Sequence, residues 1–254
     1  MQRSHPTRRT ALAVLAASGL GACAPATSDS LATGSASPGG TASGGAAAAP
    51  VCVTTPEVTE GPYYLANQLV RRDIREGKPG LVLDMALTVV DVDAGCAPQP
   101  GTPVEIWHCD AIGYYSGFVD RSPGGTVPPE DGVGDDRTFL RGVQVTGADG
   151  VARFTTILPG WYGDRVIHIH VKVHKGGQVG KTYEGGTTVQ TTQILFPDDV
   201  MAAVRTREPY TRHQLEPAKL ADDMVYSRAD EPDTMVPAMT ATPDGYSLTM
   251  TLGV

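Results

Sequence analysis

Three of the chain's six histidines fall in the stretch Arg165–His174, RVIHIHVKVH. A β-strand sends residues i, i+2 and i+4 to one face. Ile167, Ile169, Val171 and Val173 then make an apolar face, and His168, His170, Lys172 and His174 make the opposite one. The backbones of His168 and His170 stand about 7 Å apart in that arrangement, so their imidazole nitrogens can converge on one metal ion. Taken alone, the pair is as readily two solvated surface histidines. The preceding LPGWYGDR places Tyr162 just after a tight turn at Pro159-Gly160, with Arg165 between it and His168. A tyrosine folded back over two imidazoles is a candidate phenolate ligand. A free phenol has a pKa of about 10, but a bound trivalent ion would remove its proton. A second tyrosine source is VEIWHCDAIGYYSGF, where a strand over 104–109 gives way at Asp110 to a turn ending in Tyr114-Tyr115. In isolation, aromatics beyond a strand end are ordinary packing.

The elements that must position these residues are strands. LVLDMALTVVDVD (81–93) alternates and is rich in β-branched residues, and VEIWHC (104–109) follows a Gly/Pro turn cluster. VARFTTI (151–157), VIHIHVKV (166–173), TTVQTTQILF (187–196) and YSLTMTLGV (246–254) read the same way. Short strands between Gly-, Pro- and Asp-rich turns predict an all-β sandwich or barrel. FPDDVMAAVRT (196–206) carries a helix start signal and predicts one short helix. DRSPGGTVPPEDGVGDDR (120–137) shows no period and reads as a long loop.

Before the folded part, residues 1–23 read as an export signal: a basic start ending in Arg8-Arg9, then an apolar run from Ala11 to Ala22. That run is shorter than the ~20 residues a spanning helix needs. The paired arginines suggest the twin-arginine route. Leu20-Gly21-Ala22-Cys23 resembles a lipobox, which would make Cys23 a lipid anchor and the one membrane contact. An ordinary signal peptide cut nearby is the alternative. Residues 24–50 collapse to Ala, Gly, Ser, Thr and Pro and read as a disordered tether, leaving 51–254 as a single domain. A formal net charge of −8 argues against nucleic acid as a partner. In an exported protein a disulfide is permitted. Cys52 and Cys96, both at loop-like positions, are the favoured pair, with Cys109 a buried thiol, although sequence leaves the pairing open.

The motifs TPEVTEGPYYL, VEIWHCDAIGYYSGF, LPGWYGDRVIHIH and TTQILF, in that order from Thr54 to Phe196, closely resemble the intradiol ring-cleavage dioxygenases. The resemblance implies a β-sandwich core with long active-site loops and one or two short helices. It also implies one mononuclear non-haem Fe(III) held by Tyr115, Tyr162, His168 and His170. Such an enzyme cleaves a catechol-type diol with O2 to a cis,cis-muconate-type diacid. Tyr162 leaves the metal on substrate binding, and its phenolate takes a proton from the diol. Arg165 stabilises negative charge on the ring, and Gln193 orients its neighbours by hydrogen bonds. Gly61, Pro62, Tyr63, Tyr114 and Trp161 line the substrate space. His174 falls at the rim, and His108 is a buried, hydrogen-bonded core residue. Phenolate oxygens are hard donors that favour Fe(III), unlike the two-histidine, one-carboxylate set of Fe(II) oxygenases. The long helical segment that catechol dioxygenases carry ahead of the metal core has no counterpart between Val51 and Pro79, so the oligomeric state is left unread. The competing reading is a non-catalytic exported β-sandwich that binds metal or carbohydrate, a role needing neither base nor arginine beside the metal.

Overall fold

The computed structural model describes residues 52–66, 68–119 and 137–254, all within one compact unit. The export signal, the tether and nearly all of the 120–137 loop lie outside the described residues. In chain order the strands are β1 (Val82–Asp91), β2 (Ala97–Pro98), β3 (Pro103–Trp107), β4 (Arg141–Val145), β5 (Val151–Ile157) and β6 (His168–Lys175). They continue with β7 (Gln178–Val179), β8 (Tyr183–Glu184) and β9 (Thr187–Leu195). One α-helix follows, α1 (Asp198–Val204), then β10 (Ala238–Thr242) and β11 (Gly245–Gly253). Four single-turn 3-10 helices punctuate the stretch from 210 to 235.

The strands form a β-sandwich, and the protein is all-β apart from these short helices. One sheet runs β10-β11-β1-β2, with β5 also on β1; the other runs β4-β3-β6-β9. β1 is the spine of the first sheet, pairing in parallel with β11 from Val82↔Gly245 to Val90↔Gly253 and antiparallel with β5. In the second sheet β6 lies between β3 (Trp107↔His170) and β9 (His170↔Gln193).

The alternation read in the sequence sets the core. Leu83, Met85, Leu87 and Val89 of β1, with Leu248, Met250 and Leu252 of β11, face Val104, Ile106, Ile169, Val171 and Val173 of the other sheet. Burying each such aliphatic side chain is worth about 2 kcal/mol, which fixes the register, because a one-residue slip would turn every one of them outward. β4 is the strand of this core that the sequence reading lacks: Gly142 interrupts its pattern. A Cβ at that position would stand 2.6 Å from Ile74 Cγ2. The strand forms because residues 69–74 pair along it, with Arg71 N donating to Val143 O (3.0 Å) and Val143 N to Leu69 O (2.9 Å).

The bridge between Cys52 and Cys96 is present, and Cys109 is a free buried thiol. No helix among the described residues is long and apolar enough to cross a membrane.

Candidate metal centre and active site

The outer face of the β4-β3-β6-β9 sheet is not a solvent face. His168, His170, Lys172 and His174 are all buried, with Glu105 and Trp107 of β3 and Gln193 of β9 beside them. Three segments cover them, and each is pinned by named bonds.

The first cover is the N-terminal segment. Thr55 N donates to Gly253 O (3.1 Å), and Val58 N to Thr191 O (2.9 Å). Gln193 Nε2 donates to Thr59 O (3.0 Å) and Lys172 Nζ to Glu60 Oε2 (2.6 Å). At Gly61 the backbone takes φ +72°, and a Cβ there would meet His170 Cε1 at 3.1 Å. Glycine allows both the turn and this close approach.

The second cover is the loop carrying Tyr115. Asp110 Oδ1 accepts from the backbone of Ile112 (3.1 Å) and Tyr114 (2.9 Å), closing a tight turn that sends Tyr115 inward. Asp110 Oδ2 is held by Lys78 Nζ at 3.0 Å, with both side chains buried and the ammonium 3.9 Å from the centre of the Phe139 ring. The third cover is the turn carrying Tyr162. Gly160 N donates to Asp110 O (3.0 Å), and a Cβ at Gly160 would stand 2.3 Å from Ala111 O. A backbone-to-backbone contact thus clamps the two tyrosine-bearing segments together.

The four donor side chains meet beneath these covers. Tyr115 Oη is 3.4 Å from Tyr162 Oη, 3.3 Å from His168 Nε2 and 3.1 Å from His170 Nε2. Tyr162 Oη is 2.9 Å from His168 Nε2. His168 Nδ1 donates to Val166 O at 2.7 Å, which leaves the Nε2 lone pair facing the cluster. The His170 ring lies flat on Trp107, centroids 4.9 Å apart and planes 6° from parallel. Its Nδ1 is buried without a hydrogen-bond partner among the described residues.

Protonation follows from this burial. Desolvation pushes the pKa of both phenols up; contact with the Tyr162 phenol raises that of Tyr115 further, while Arg165 opposes the rise. Both imidazoles are pushed down, chiefly by burial and then by neighbouring positive charge, so they are neutral. The two phenol protons can therefore serve the two imidazole nitrogens, and a trivalent cation would displace them. The donor set fits ferric iron: two hard oxygens and two neutral nitrogens converge, with no carboxylate or thiolate among them. Among the described residues no group of three or more His, Cys, Asp or Glu is placed to share an ion, so metal binding here depends on the phenols.

Arg165 lies at the edge of this cluster, buried. Its Nε donates to Asp223 Oδ2 (2.7 Å) and its Nη2 to Gln193 Oε1 (2.6 Å). Asp223 holds it from 58 residues further along the chain.

Among the residues expected to line the substrate space, Tyr63 stacks on Tyr115 (4.6 Å, 21°) and meets Tyr162 edge-on at 6.4 Å. Gly61 lies against His170, with Pro62 between it and Tyr63. Two others go elsewhere. Tyr114 packs with Ile112 and Val119 in a separate cluster. Trp161 belongs to the main core, stacked on His213 (4.3 Å), its Nε1 donating to Leu215 O at 2.7 Å.

His108 is the core residue the sequence suggested: Nδ1 donates to Cys109 O, and Nε2 accepts from Thr156 Oγ1, both at 2.7 Å. His174 pairs with the buried Glu105 at 2.8 Å. Lys78 and Asp223 escaped sequence reading and carry no local signal; Gly160 was legible as part of the turn before Tyr162, but not its contact with Ala111.

A cavity of about 580 Å³ lies elsewhere, on the outside of the five-stranded sheet by Cys52 and Cys96. It is lined largely by threonines and aliphatic residues and holds no titratable side chain. Volume therefore points away from the chemistry, and the convergent donors are the better guide.

A family model described as Dioxygenase matches residues 53–215. The catechol 1,2-dioxygenase of Acinetobacter baylyi is 33% identical over 115 residues, 43% of this chain and 32% of that protein. The protocatechuate 3,4-dioxygenase beta chain of Burkholderia cepacia is 31% identical over 146 residues, 55% of each chain. The chain thus matches about a third to a half of the length of these curated relatives. Among solved structures, an intradiol ring-cleavage dioxygenase from Tetranychus urticae superposes with a TM-score of 0.67 at 28% identity, covering 80% of this chain and 94% of that one.

Proposed function

The chain belongs to the intradiol ring-cleavage dioxygenase family, and on that premise we propose that it cleaves catechol-type aromatic diols with O2 between the two hydroxyl-bearing carbons. The products are cis,cis-muconate-type diacids. One ferric ion is assigned to Tyr115, Tyr162, His168 and His170. The observation that carries this reading is the convergence of two phenol oxygens on two imidazole nitrogens, the linking contacts running from 2.9 to 3.4 Å.

When bound, the ion supplies Lewis acidity that draws electron density from the deprotonated diol and opens its ring to O2. The rest is work for the chain's own side chains. Tyr162 is 9% exposed where Tyr115 is fully buried, so Tyr162, once its own proton has been displaced, would be the phenolate free to swing away and accept a proton from a diol hydroxyl. Arg165 aims N–H donors at the charge that builds on the ring. Gln193 fixes Arg165 through its amide oxygen and the covering segment through its amide nitrogen. Tyr63, with Gly61 and Pro62, forms the wall against which an aromatic ring packs and excludes water.

Two measurements test the assignment. Protein loaded with Fe(III) is expected to be burgundy from tyrosinate charge transfer. It is also expected to consume one O2 per diol with catechol, hydroxyquinol or protocatechuate, releasing a muconate-type diacid. Colourless iron-loaded protein, or ring opening outside the two hydroxyls, contradicts it; a plain metal or carbohydrate binder would give no turnover.

Export by the twin-arginine route, with Cys23 as a lipid anchor, is part of the same reading. The Cys52–Cys96 bridge supports an oxidising compartment. Mass spectrometry of the membrane-bound form, read for a lipid on Cys23, is the check.

A further inference from the structure

Asp223 lies beyond residue 215, where the family match ends, yet its carboxylate reaches the edge of the donor cluster. Its side chain is 0% exposed. Oδ2 accepts from Arg165 Nε (2.7 Å) and Val166 N (3.0 Å). Oδ1 accepts from Val225 N (2.8 Å), Tyr226 N (3.2 Å) and, at 3.5 Å, Arg165 Nη2. Three backbone N–H groups thus fix this anion independently of the arginine. A guanidinium has five N–H donors. The Nε donor and the Nη2 group are committed to Asp223 and Gln193, which leaves the Nη1 group for a bound ring. A fixed anion this close also offsets much of the guanidinium charge at any point a few ångströms away.

We propose that Asp223 is a positioning and specificity-determining residue: it locks the Nε/Nη2 edge of Arg165, leaves Nη1 to face the substrate, and tunes the site to diols whose rings carry no carboxylate. This rests on the ring-cleavage reading above, and it adds a residue from the C-terminal segment that carries its own charge logic.

The test is Asp223→Asn in the full-length, iron-loaded protein, assayed with catechol and protocatechuate. Asn Oδ1 can still cap the Val225 and Tyr226 amides, while the negative charge is gone. The ratio of kcat/KM for protocatechuate over catechol is expected to rise about tenfold, equivalent to about 1.4 kcal/mol. A fall in folded or loaded fraction scales both substrates alike and cancels in the ratio. A ratio within twofold of wild type, with both activities lowered together, overturns the proposal and leaves Asp223 as a structural brace. If Asp223→Asn fails to fold, Gln193→Glu adds a carboxylate on the other side of Arg165 and is expected to move the ratio the opposite way; an unmoved ratio there also overturns it.

If wild type opens neither ring, the ring-cleavage reading falls by itself. The charge inference is then read from calorimetric binding of 4-hydroxybenzoate against phenol, where Asp223→Asn must still favour the anionic ligand and equal affinities refute it.

Discussion

The two outer faces of the sandwich begin from the same alternation and end differently. On the five-stranded sheet most outward residues, among them Asp84, Ala86 and Thr88 of β1 and Ser247, Thr249 and Thr251 of β11, are partly or fully exposed, with Val90 the buried one on β1. On the four-stranded sheet the outward residues of β6 are two imidazoles, a lysine and a third imidazole, and every one is buried. The first face is a polar surface that water satisfies. The second would be costly to cover, since a buried charge without a partner is worth several kcal/mol against folding. The protein supplies partners: Glu60 of the covering segment for Lys172, Glu105 of the neighbouring strand for His174 and, just before β6, Asp223 for Arg165. The four atoms left facing one another are two phenol oxygens, whose protons a metal can displace, and two imidazole nitrogens, whose lone pairs it can take. The difference teaches that the site was made by roofing a strand face, and that the roof carries half of the converging donors.

The largest break in that comparison comes from the phenols the roof provides. Tyr162→Phe keeps the ring and removes the oxygen. Ring opening is expected to fall about 10³-fold, with loss or displacement of the visible absorption band, since both a ligand and a general base go. Steady-state turnover and the absorption spectrum of the iron-loaded variant check this; turnover near wild type with an unchanged spectrum would remove Tyr162 from the chemistry.

Next in size is the seam of the roof. Gly160→Ala places a methyl 2.3 Å from Ala111 O, a backbone atom that cannot swing aside. The expected cost is about 2–3 kcal/mol of stability, and turnover should drop about 10²-fold as the two tyrosines part. Thermal melts and kcat/KM together read it. A variant as stable and active as wild type would show that the 110–111 and 160–162 segments move independently.

How much of this could be read from the chain divides along sequence separation. The strand face of His168 and His170, the turn before Tyr162, the helix at 198–204 and the buried role of His108 are written in local spacing and turn chemistry. Asp223 is not, because an Asp in an Asp-rich irregular stretch looks like any solvated residue. What makes it part of the site is a bond across 58 positions. Lys78–Asp110 spans 32 and is equally silent in the sequence. β4 was hidden because Gly142 gives way to Ile74, a close approach that periodicity cannot see. Tyr114 and Trp161 were drawn toward the site by their neighbours in sequence, but strand ends and turns send adjacent side chains to opposite sides.

Between the two sheets, burial leaves a further acid-sensitive group. His108 is fully buried, and desolvation pushes its pKa down from 6.5 to about 4. The unfolded chain binds that proton near pH 6.5, the folded protein not until about pH 4. The stability tied to the neutral ring is therefore complete above pH 6.5 and is lost as pH falls toward 4, up to about 3 kcal/mol from this group. Urea midpoints of metal-free protein between pH 7 and 4.5 measure it. His108→Gln, which can still donate to Cys109 O and accept from Thr156, should flatten the dependence; a slope unchanged by the substitution would assign it elsewhere.

The smallest effect isolates the covering itself, through one methyl group removed from each outer face. Thr251 on β11 is exposed, whereas Thr191 on β9, directly opposite Lys172, is 9% exposed. Both sit outward on a strand, and Thr→Ser carries the same propensity cost at each, a few tenths of a kcal/mol. At Thr251 nothing else is lost, so the change should stay within about 0.5 kcal/mol. At Thr191 the methyl is packed, and its removal adds the transfer term of a buried methyl, about 0.8 kcal/mol, plus any unfilled space. Chemical denaturation of the two variants should therefore separate them by about 1 kcal/mol, with Thr191→Ser the weaker. Equal losses would mean that the Val58–Glu60 segment lies over β9 without packing on it, and that the roof is held by its polar partners alone.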